Sequence, residues 1–215
     1  MAPDYVMVHQ SIRDELIKEM KRAINDFYGD DVKGSESLGR IINERHFNRL
    51  RNILESDKEG LIYGGEYDEE EKYIAPSIIQ VKDWNAACMK EEIFGPILPI
   101  MEYSDLNEVV NAINKQPKSL ALYLFTSDKR VEKKVLNEIS SGGVSINDTI
   151  LHLANSNLPF GGVGNAGMGA YHGEESFRTF SHRKSVLKKS RVLNTTLMYP
   201  PYSDKKLMVI KLSLI

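Results

Sequence analysis

After the Gly95-Pro96 break, the chain enters an alternation that few folds accommodate. An apolar run through Ile100 reads as a buried strand and residues 106–116 as a helix. Residues 119–126 (Ser-Leu-Ala-Leu-Tyr-Leu-Phe-Thr) read as a second buried strand. Residues 129–139 read as a helix ended by Gly142-Gly143, and residues 144–148 as a third strand. Strands separated by helices are the pattern of parallel pairing, because a parallel neighbour needs a crossover long enough to return the chain to the same end of the sheet. The expected fold class is α/β: a parallel sheet with covering helices.

The preceding residues fit the same scheme. Residues 5–9 read as a short strand. Residues 11–27 read as a helix with Ile12, Leu16, Met20, Ile24 and Phe27 on one face, closed by Gly29. Residues 38–56 read as a second helix carrying Ile41, Ile42, Phe47, Leu50, Ile53 and Leu54. Its Arg45, His46, Arg49 and Arg51 read as a solvated face. A short strand at residues 61–63 precedes Gly64-Gly65, and the acid-rich residues 66–71 read as a loop tip. Residues 73–81 have strand chemistry, and Pro76 assigns them to a sheet edge or a late start.

Length and charge narrow the function classes. A chain of 215 residues allows one domain, or one and a part, with a sizeable core. A net charge of -2 with mixed signs leaves no footprint for nucleic acid. The single cysteine, Cys88, cannot form an internal disulfide, which fits a reducing, cytoplasmic setting. No signal peptide is visible, and no apolar run reaches the roughly 20 residues a membrane span needs. Two glycosylation-type triplets, 147–149 and 194–196, are read as chance. His9, His46, His152, His172 and His182 lack ligand spacing, so no metal site is expected.

Two stretches carry candidate chemistry. In residues 91–100 (Glu-Glu-Ile-Phe-Gly-Pro-Ile-Leu-Pro-Ile) a turn presents Glu92 and Phe94 just before a strand. A carboxylate accepts hydrogen bonds from sugar hydroxyls, and a phenyl ring offers a flat face to a planar heterocycle; by composition alone an ordinary charged loop entering a core strand is the plainer reading. In residues 158–182, Gly162, Gly164 and Gly167 fit G-x-G-x-x-G. A dinucleotide fingerprint needs a strand before it and an acid about 20 residues on. Here Pro159 precedes it and Arg183-Lys184 follow, so the glycines are read as permitting tight turns and close approach.

Glu-Glu-Ile-Phe-Gly-Pro resembles the cofactor-contact motif of the aldehyde dehydrogenase superfamily. Leu-Pro-Phe-Gly-Gly, with Gly-Met-Gly-Ala-Tyr-His-Gly after it, resembles the class 3 group, which includes the fatty aldehyde dehydrogenases. The resemblance runs from Ala2-Pro3-Asp4-Tyr5 to about Pro201. It implies that Glu92 holds the nicotinamide ribose and that Phe94 packs beside it, with NAD or NADP as cofactor in the complete enzyme. It implies that Ile150, Leu153, Phe160 and His172 line an aldehyde tunnel; their residue types alone leave ordinary core equally open. The implied reaction oxidises aldehydes, including medium- and long-chain aliphatic ones, to carboxylic acids through a cysteine thiohemiacetal.

The resemblance also places Met1 just after the family nucleophile. Nucleophile, general base and most of the dinucleotide domain are then expected upstream. That makes this chain an incomplete catalytic domain with no catalytic residue of its own, inactive by itself. Cys88 is expected to be a structural thiol. The implied division is residues 1–182 as the C-terminal part of the catalytic domain, 183–190 as an oligomerisation strand of a homodimer, and 191–215 as a tail. The tail is too short to span a bilayer. Its lysines and apolar residues suit peripheral contact with a membrane surface, and a terminal strand or frayed end is the plainer expectation. The alternative function is a non-catalytic fragment that binds or assembles with a full-length subunit.

Overall fold

A computed structural model describes residues 2–192 and 196–213. Met1, Asn194 and Thr195 of the second glycosylation triplet, and the last two residues of the tail lie outside that description. The order is β1 (Val6–His9), α1 (Arg13–Tyr28), α2 (Glu44–Ser56), β2 (Leu61–Tyr63), β3 (Tyr67–Asp68), β4 (Tyr73–Ile74), β5 (Ser77–Gln80) and β6 (Ile97–Tyr103). There follow α3 (Leu106–Asn114), β7 (Ser119–Leu124), α4 (Lys129–Glu138), β8 (Ser141–Ile146), α5 (Leu151–Ala154), α6 (Gly173–Phe180) and α7 (Asp204–Ser213). The contacts divide the chain into Met1–Thr179 and Phe180–Ile215.

The first unit is built on a four-stranded sheet of order β1-β6-β5-β2. β6 is parallel to β1 (Val6 opposite Ile100) and to β5 (Ser77 opposite Ile97), and β2 adds antiparallel to β5. The period of two then assigns the faces. Ile79, Ile97 and Met101 pack with Phe47, Leu50, Ile53 and Leu54 of α2. Ile78 and Ile100 pack with Val8 and with Ile17, Leu16, Met20 and Ile24 of α1. The two helices therefore cover opposite faces, and each fully buried aliphatic or aromatic side chain contributes about 1.5–3 kcal/mol. A two-stranded parallel sheet, β7 with β8, is covered by α3 and α4 through Leu106, Val110, Ile113, Val131, Val135 and Ile139. The α/β reading holds, with one antiparallel strand in the larger sheet.

Several local expectations shift. The second helix begins at Glu44, six residues later than its apolar pattern suggests, because the Asn43 side chain accepts the His46 amide hydrogen at 3.0 Å and caps it. Ile42 is left outside at 84% exposure. α1 is preceded by a 3-10 turn, so Ile12 and Phe27 are exposed and Ile17 takes the core position. Residues 66–71 are not only a loop tip: Tyr67 and Asp68 form β3, paired antiparallel with β4. Pro76 lies between β4 and β5, and β5 is an inner strand rather than an edge. β6 itself contains a buried proline. The Ile100 carbonyl accepts from Val81, just past β5, so Pro99 faces β1, whose ladder begins only at Ile100.

Gly142 and Gly143 lie inside β8 rather than closing α4. A Cβ at Gly142 would sit 2.6 Å from the Leu120 carbonyl oxygen, so the glycine permits backbone contact. β7 is half-buried along its whole length, not fully buried.

Residues 183–190 form no strand within this chain and are exposed. Within the tail, Asp204–Ser213 form the helix α7 rather than a strand. Lys206 ties its first turn to the carbonyls of Tyr199 and Pro201, each at 2.9 Å. No helix of the described residues is long and apolar enough to cross a membrane.

Candidate functional site

The segment before β6 is held by three charged residues from elsewhere in the chain. The Asp57 carboxylate, at the end of α2, accepts the amide hydrogens of Ala87 at 3.0 Å and Cys88 at 2.8 Å. The Asp4 carboxylate accepts that of Ile93 at 2.9 Å. Arg49, on α2, donates to the carbonyls of Glu92 (3.3 Å) and Ile93 and pairs with Glu91 at 3.4 Å. The Ile93 side chain is buried in the α2 core at 1% exposure. A Cβ on Gly95 would lie 2.6 Å from the buried Leu50, so the backbone there must run against α2.

The consequence is a turn whose interior is fixed and whose two flanking side chains point away from the core. Phe94 has φ 47°, in the left-handed region, and is 77% exposed. A phenylalanine held there costs roughly 1–2 kcal/mol, and without large burial nothing in the fold repays it. Glu92 is exposed, and among the described residues no side-chain hydrogen bond or ion pair engages its carboxylate. Cys88 nearby is buried at 1% exposure. Burial, followed by the hydrogen bond and charge of Asp57, pushes its thiol up to about 12. That geometry suits an inert structural thiol.

The other candidates gather beside β7 and β8. Phe160 is buried at 8% exposure and pairs with Tyr171 through two reciprocal 2.9 Å backbone hydrogen bonds. The His172 ring stacks on Phe160 (centroids 6.1 Å, 25°), with Nδ1 at 3.1 Å from the Leu158 carbonyl. Since a carbonyl only accepts, Nδ1 carries the hydrogen there, and Nε2 of the neutral ring is left as an acceptor. His172 is also held at φ 88°.

Ile150 and Leu153 sit on the α5 turn, joined by a 2.8 Å bond from the Leu153 amide to the Ile150 carbonyl. Ile150 has φ 66°, an uncommon state for a β-branched residue, and is 40% exposed. His152 links the two groups, with ring centroids 5.9 Å from Phe160 and 5.8 Å from Tyr123. Burial raises the Tyr123 hydroxyl's pKa, and a hydrogen bond from the Ile150 backbone opposes it.

The structure thus brings Phe160 and His172 together, sets Ile150 and Leu153 beside them through His152, and presents Glu92 with Phe94 at the start of β6. No hydrogen bond or ring contact among the described residues joins the Glu92 turn to the Phe160 group. The Gly162–Gly167 stretch forms a short 3-10 turn at 164–166 with no strand before it. A Cβ on Gly162 would overlap the Ala166 carbonyl. Close packing, not a dinucleotide fingerprint, accounts for these glycines. Among the described residues no three His, Cys, Asp or Glu side chains converge as metal ligands. Reading by sequence missed Asp4, Arg49 and Asp57, whose partners lie 30 to 89 positions away. It also missed Asn147, whose amide clasps both backbone groups of Thr126.

Residues 1–186 match the aldehyde dehydrogenase family, to which the chain belongs. Its relatives are of the class 3 type. It is 47% identical over 205 residues to a 4,4'-diaponeurosporen-aldehyde dehydrogenase of Staphylococcus aureus, covering 95% of this chain and 45% of that protein. It is 47% identical over 208 residues to the dimeric NADP-preferring aldehyde dehydrogenase of Rattus norvegicus, covering 95% and 45%. The solved substrate-bound Staphylococcus aureus AldH superposes with a TM-score of 0.85 at 46% identity, covering 100% of this chain and 46% of that one. The chain therefore spans a little under half the length of these relatives.

Proposed function

We propose that this chain supplies the later part of an NAD(P)-dependent aldehyde dehydrogenase and carries that enzyme's nicotinamide clamp and part of its aldehyde tunnel. The observation that carries the reading is the Glu92–Phe94 turn. An exposed aromatic in a strained conformation, beside an unengaged carboxylate on a rigid support, is costly to the fold and suited to a ligand. Those residues fit a nicotinamide nucleoside. Glu92 accepts hydrogen bonds from the ribose hydroxyls, and Phe94 lies against the ring side and limits its tilt. When bound, NAD or NADP accepts the hydride released from the substrate. The protein's part is orientation, which is worth several kcal/mol of a barrier.

Ile150, Leu153 and Phe160 supply apolar wall and His172 one polar group, a composition that suits medium- or long-chain aliphatic aldehydes. The carboxylic acid product forms in the complete enzyme, through a cysteine thiohemiacetal. The complete enzyme is a homodimer in which residues 183–190 add a strand to a neighbouring subunit.

The tail has a second part in this reading. Residues 180–215 contain eight Lys and Arg and one acid, Asp204, a net +7 within a chain of net -2. Val186, Leu187, Val192, Leu207, Met208 and Leu212 are exposed among them. Basic residues interleaved with apolar ones favour peripheral contact with an anionic membrane surface from a cytoplasmic enzyme.

A second reading, an assembly module that completes or decorates a full-length subunit, is favoured by β7 and β8. Each is half-buried, and no third strand pairs with them among the described residues.

The test joins this chain behind the first half of a class 3 relative and follows NAD(P)H formation with aldehydes of increasing length. The proposal expects turnover that rises with chain length and falls when Phe160 or His172 is replaced. Native mass spectrometry showing tight association with a full-length subunit, with no turnover from the fusion, would favour the second reading.

A further inference from the structure

We infer that Arg49, together with Asp4, is the positioning pair that fixes the Glu92–Phe94 turn for its ligand; the inference rests on the cofactor reading of Glu92 given above. The Ile93 residue between Glu92 and Phe94 is gripped from both sides. Its amide donates to Asp4 at 2.9 Å and its carbonyl accepts from Arg49. The same guanidinium reaches the Glu92 carbonyl at 3.3 Å. Two successive carbonyls aimed the same way repel each other, and a cation between them removes that penalty.

Arg49 also separates the two neighbouring glutamates. Its ion pair goes to Glu91 at 3.4 Å, so its charge is partly satisfied there and Glu92 keeps an unengaged carboxylate. The Arg49 side chain is only 21% exposed, and the residue is next to Leu50, the side chain against which Gly95 must pack. The left-handed Phe94 is therefore bracketed by a clamped Ile93 and a sterically fixed Gly95, which is how a strained conformer is maintained. Lysine cannot replace this arrangement, because a single ammonium is a point charge without the planar fork that serves two carbonyls and a carboxylate.

The test compares amide hydrogen exchange in the 215-residue chain with its Arg49→Met, Arg49→Lys, Asp4→Asn and Glu92→Gln variants. Saturation-transfer NMR with nicotinamide mononucleotide as the probe runs alongside, on the same variants of the fusion with a class 3 first half. Loss of Arg49's grip on the Glu92 and Ile93 carbonyls should raise exchange of the Ile93 amide, which donates to Asp4, by roughly tenfold or more in Arg49→Met. The amides of β5 and β6 should stay within about twofold, since they belong to the globally protected core. Arg49→Met should also lower transfer to the ribose protons as Glu92→Gln does, Asp4→Asn should act in the same direction, and Arg49→Lys should not rescue.

The inference is overturned if Arg49→Met leaves the turn's exchange unchanged, if Arg49→Lys restores it, or if exchange rises evenly through the sheet. If Glu92→Gln leaves transfer unchanged, or the fusion with a class 3 first half gives none, the cofactor reading falls. The exchange data then decide the clamp alone.

Discussion

Replacing Phe94 with glycine separates what the fold needs from what the site needs. With 77% of the residue exposed, about a quarter of an aromatic side chain, roughly 35–60 Å², is buried. Losing that contact costs about 1–1.5 kcal/mol. At φ 47° the substitution releases roughly 1–2 kcal/mol of left-handed strain. The extra freedom of glycine in the unfolded chain takes back about 0.4–1 kcal/mol. The terms nearly cancel, so Phe94→Gly should change stability by less than about 1 kcal/mol, against roughly 3–5 for truncation of a core phenylalanine. Phe94→Ala loses the same contact without relieving the strain, so it should be the less stable of the two, the reverse of the usual order. Urea unfolding followed by circular dichroism, at unchanged m value, measures both. A loss of about 3 kcal/mol or more in Phe94→Gly, on the scale of a core truncation, would show that the ring is a packing element and remove the main reason for assigning it to a ligand.

Other outcomes follow from the same geometry. The Cys88 thiol has its folded pKa raised from 9.0 to about 12, so the neutral form it favours is fully populated below pH 9 and its contribution is lost as pH rises from there. Alkaline unfolding curves should therefore lose a component in Cys88→Ala, and thiol labelling of the native chain at neutral pH should be slow. Rapid labelling would contradict the buried placement. Asp68 and Glu71 have pKa values lowered from 3.8 and 4.5, first by the Lys33 hydrogen bond. Their support of the β3–β4 hairpin is present above those values and disappears as pH falls below them. Proton exchange in the hairpin should rise below about pH 4, and Lys33→Met should weaken that step, Arg40 still holding Glu71. Vesicles with anionic headgroups should retain the chain at low salt and release it as ionic strength rises, while neutral vesicles should not retain it. Equal binding to both would refute the electrostatic account of the tail.

The sheet and its helices were legible because their signal is local. Phe47, Leu50, Ile53 and Leu54 recur at helical spacing, and Ile78 and Ile79 fall on opposite faces by the period of two. Errors arose where one polar residue outweighed an apolar pattern: Asn43 caps α2 although Ile41 and Ile42 extend its hydrophobic run. Pro76 and Gly142 were recognised as special: β5 starts late, directly after Pro76, as one of the two readings had it, whereas Gly142 lies inside β8, where it admits the Leu120 carbonyl, rather than ending α4. Glu92 and Phe94 were identified by motif, and their exposure follows from the turn. The support beneath them was invisible. Arg49 looks like a solvent-facing arginine in its own helix, and its partners at residues 91–93 are brought to it only by the tertiary fold. The left-handed state of Phe94 is likewise imposed from outside, since phenylalanine has no intrinsic preference for it.

The central claim is that Glu92 orients the nicotinamide while Ile150, Leu153, Phe160 and His172 read the aldehyde. Single-turnover hydride transfer in the fusion with a class 3 first half, measured for Glu92→Gln beside chain-length preference, tests it most directly. The account predicts slower hydride transfer or weaker cofactor binding with the preference unchanged. Unchanged transfer and cofactor binding with a shifted chain-length preference would contradict it and make the Glu92 turn part of the tunnel wall.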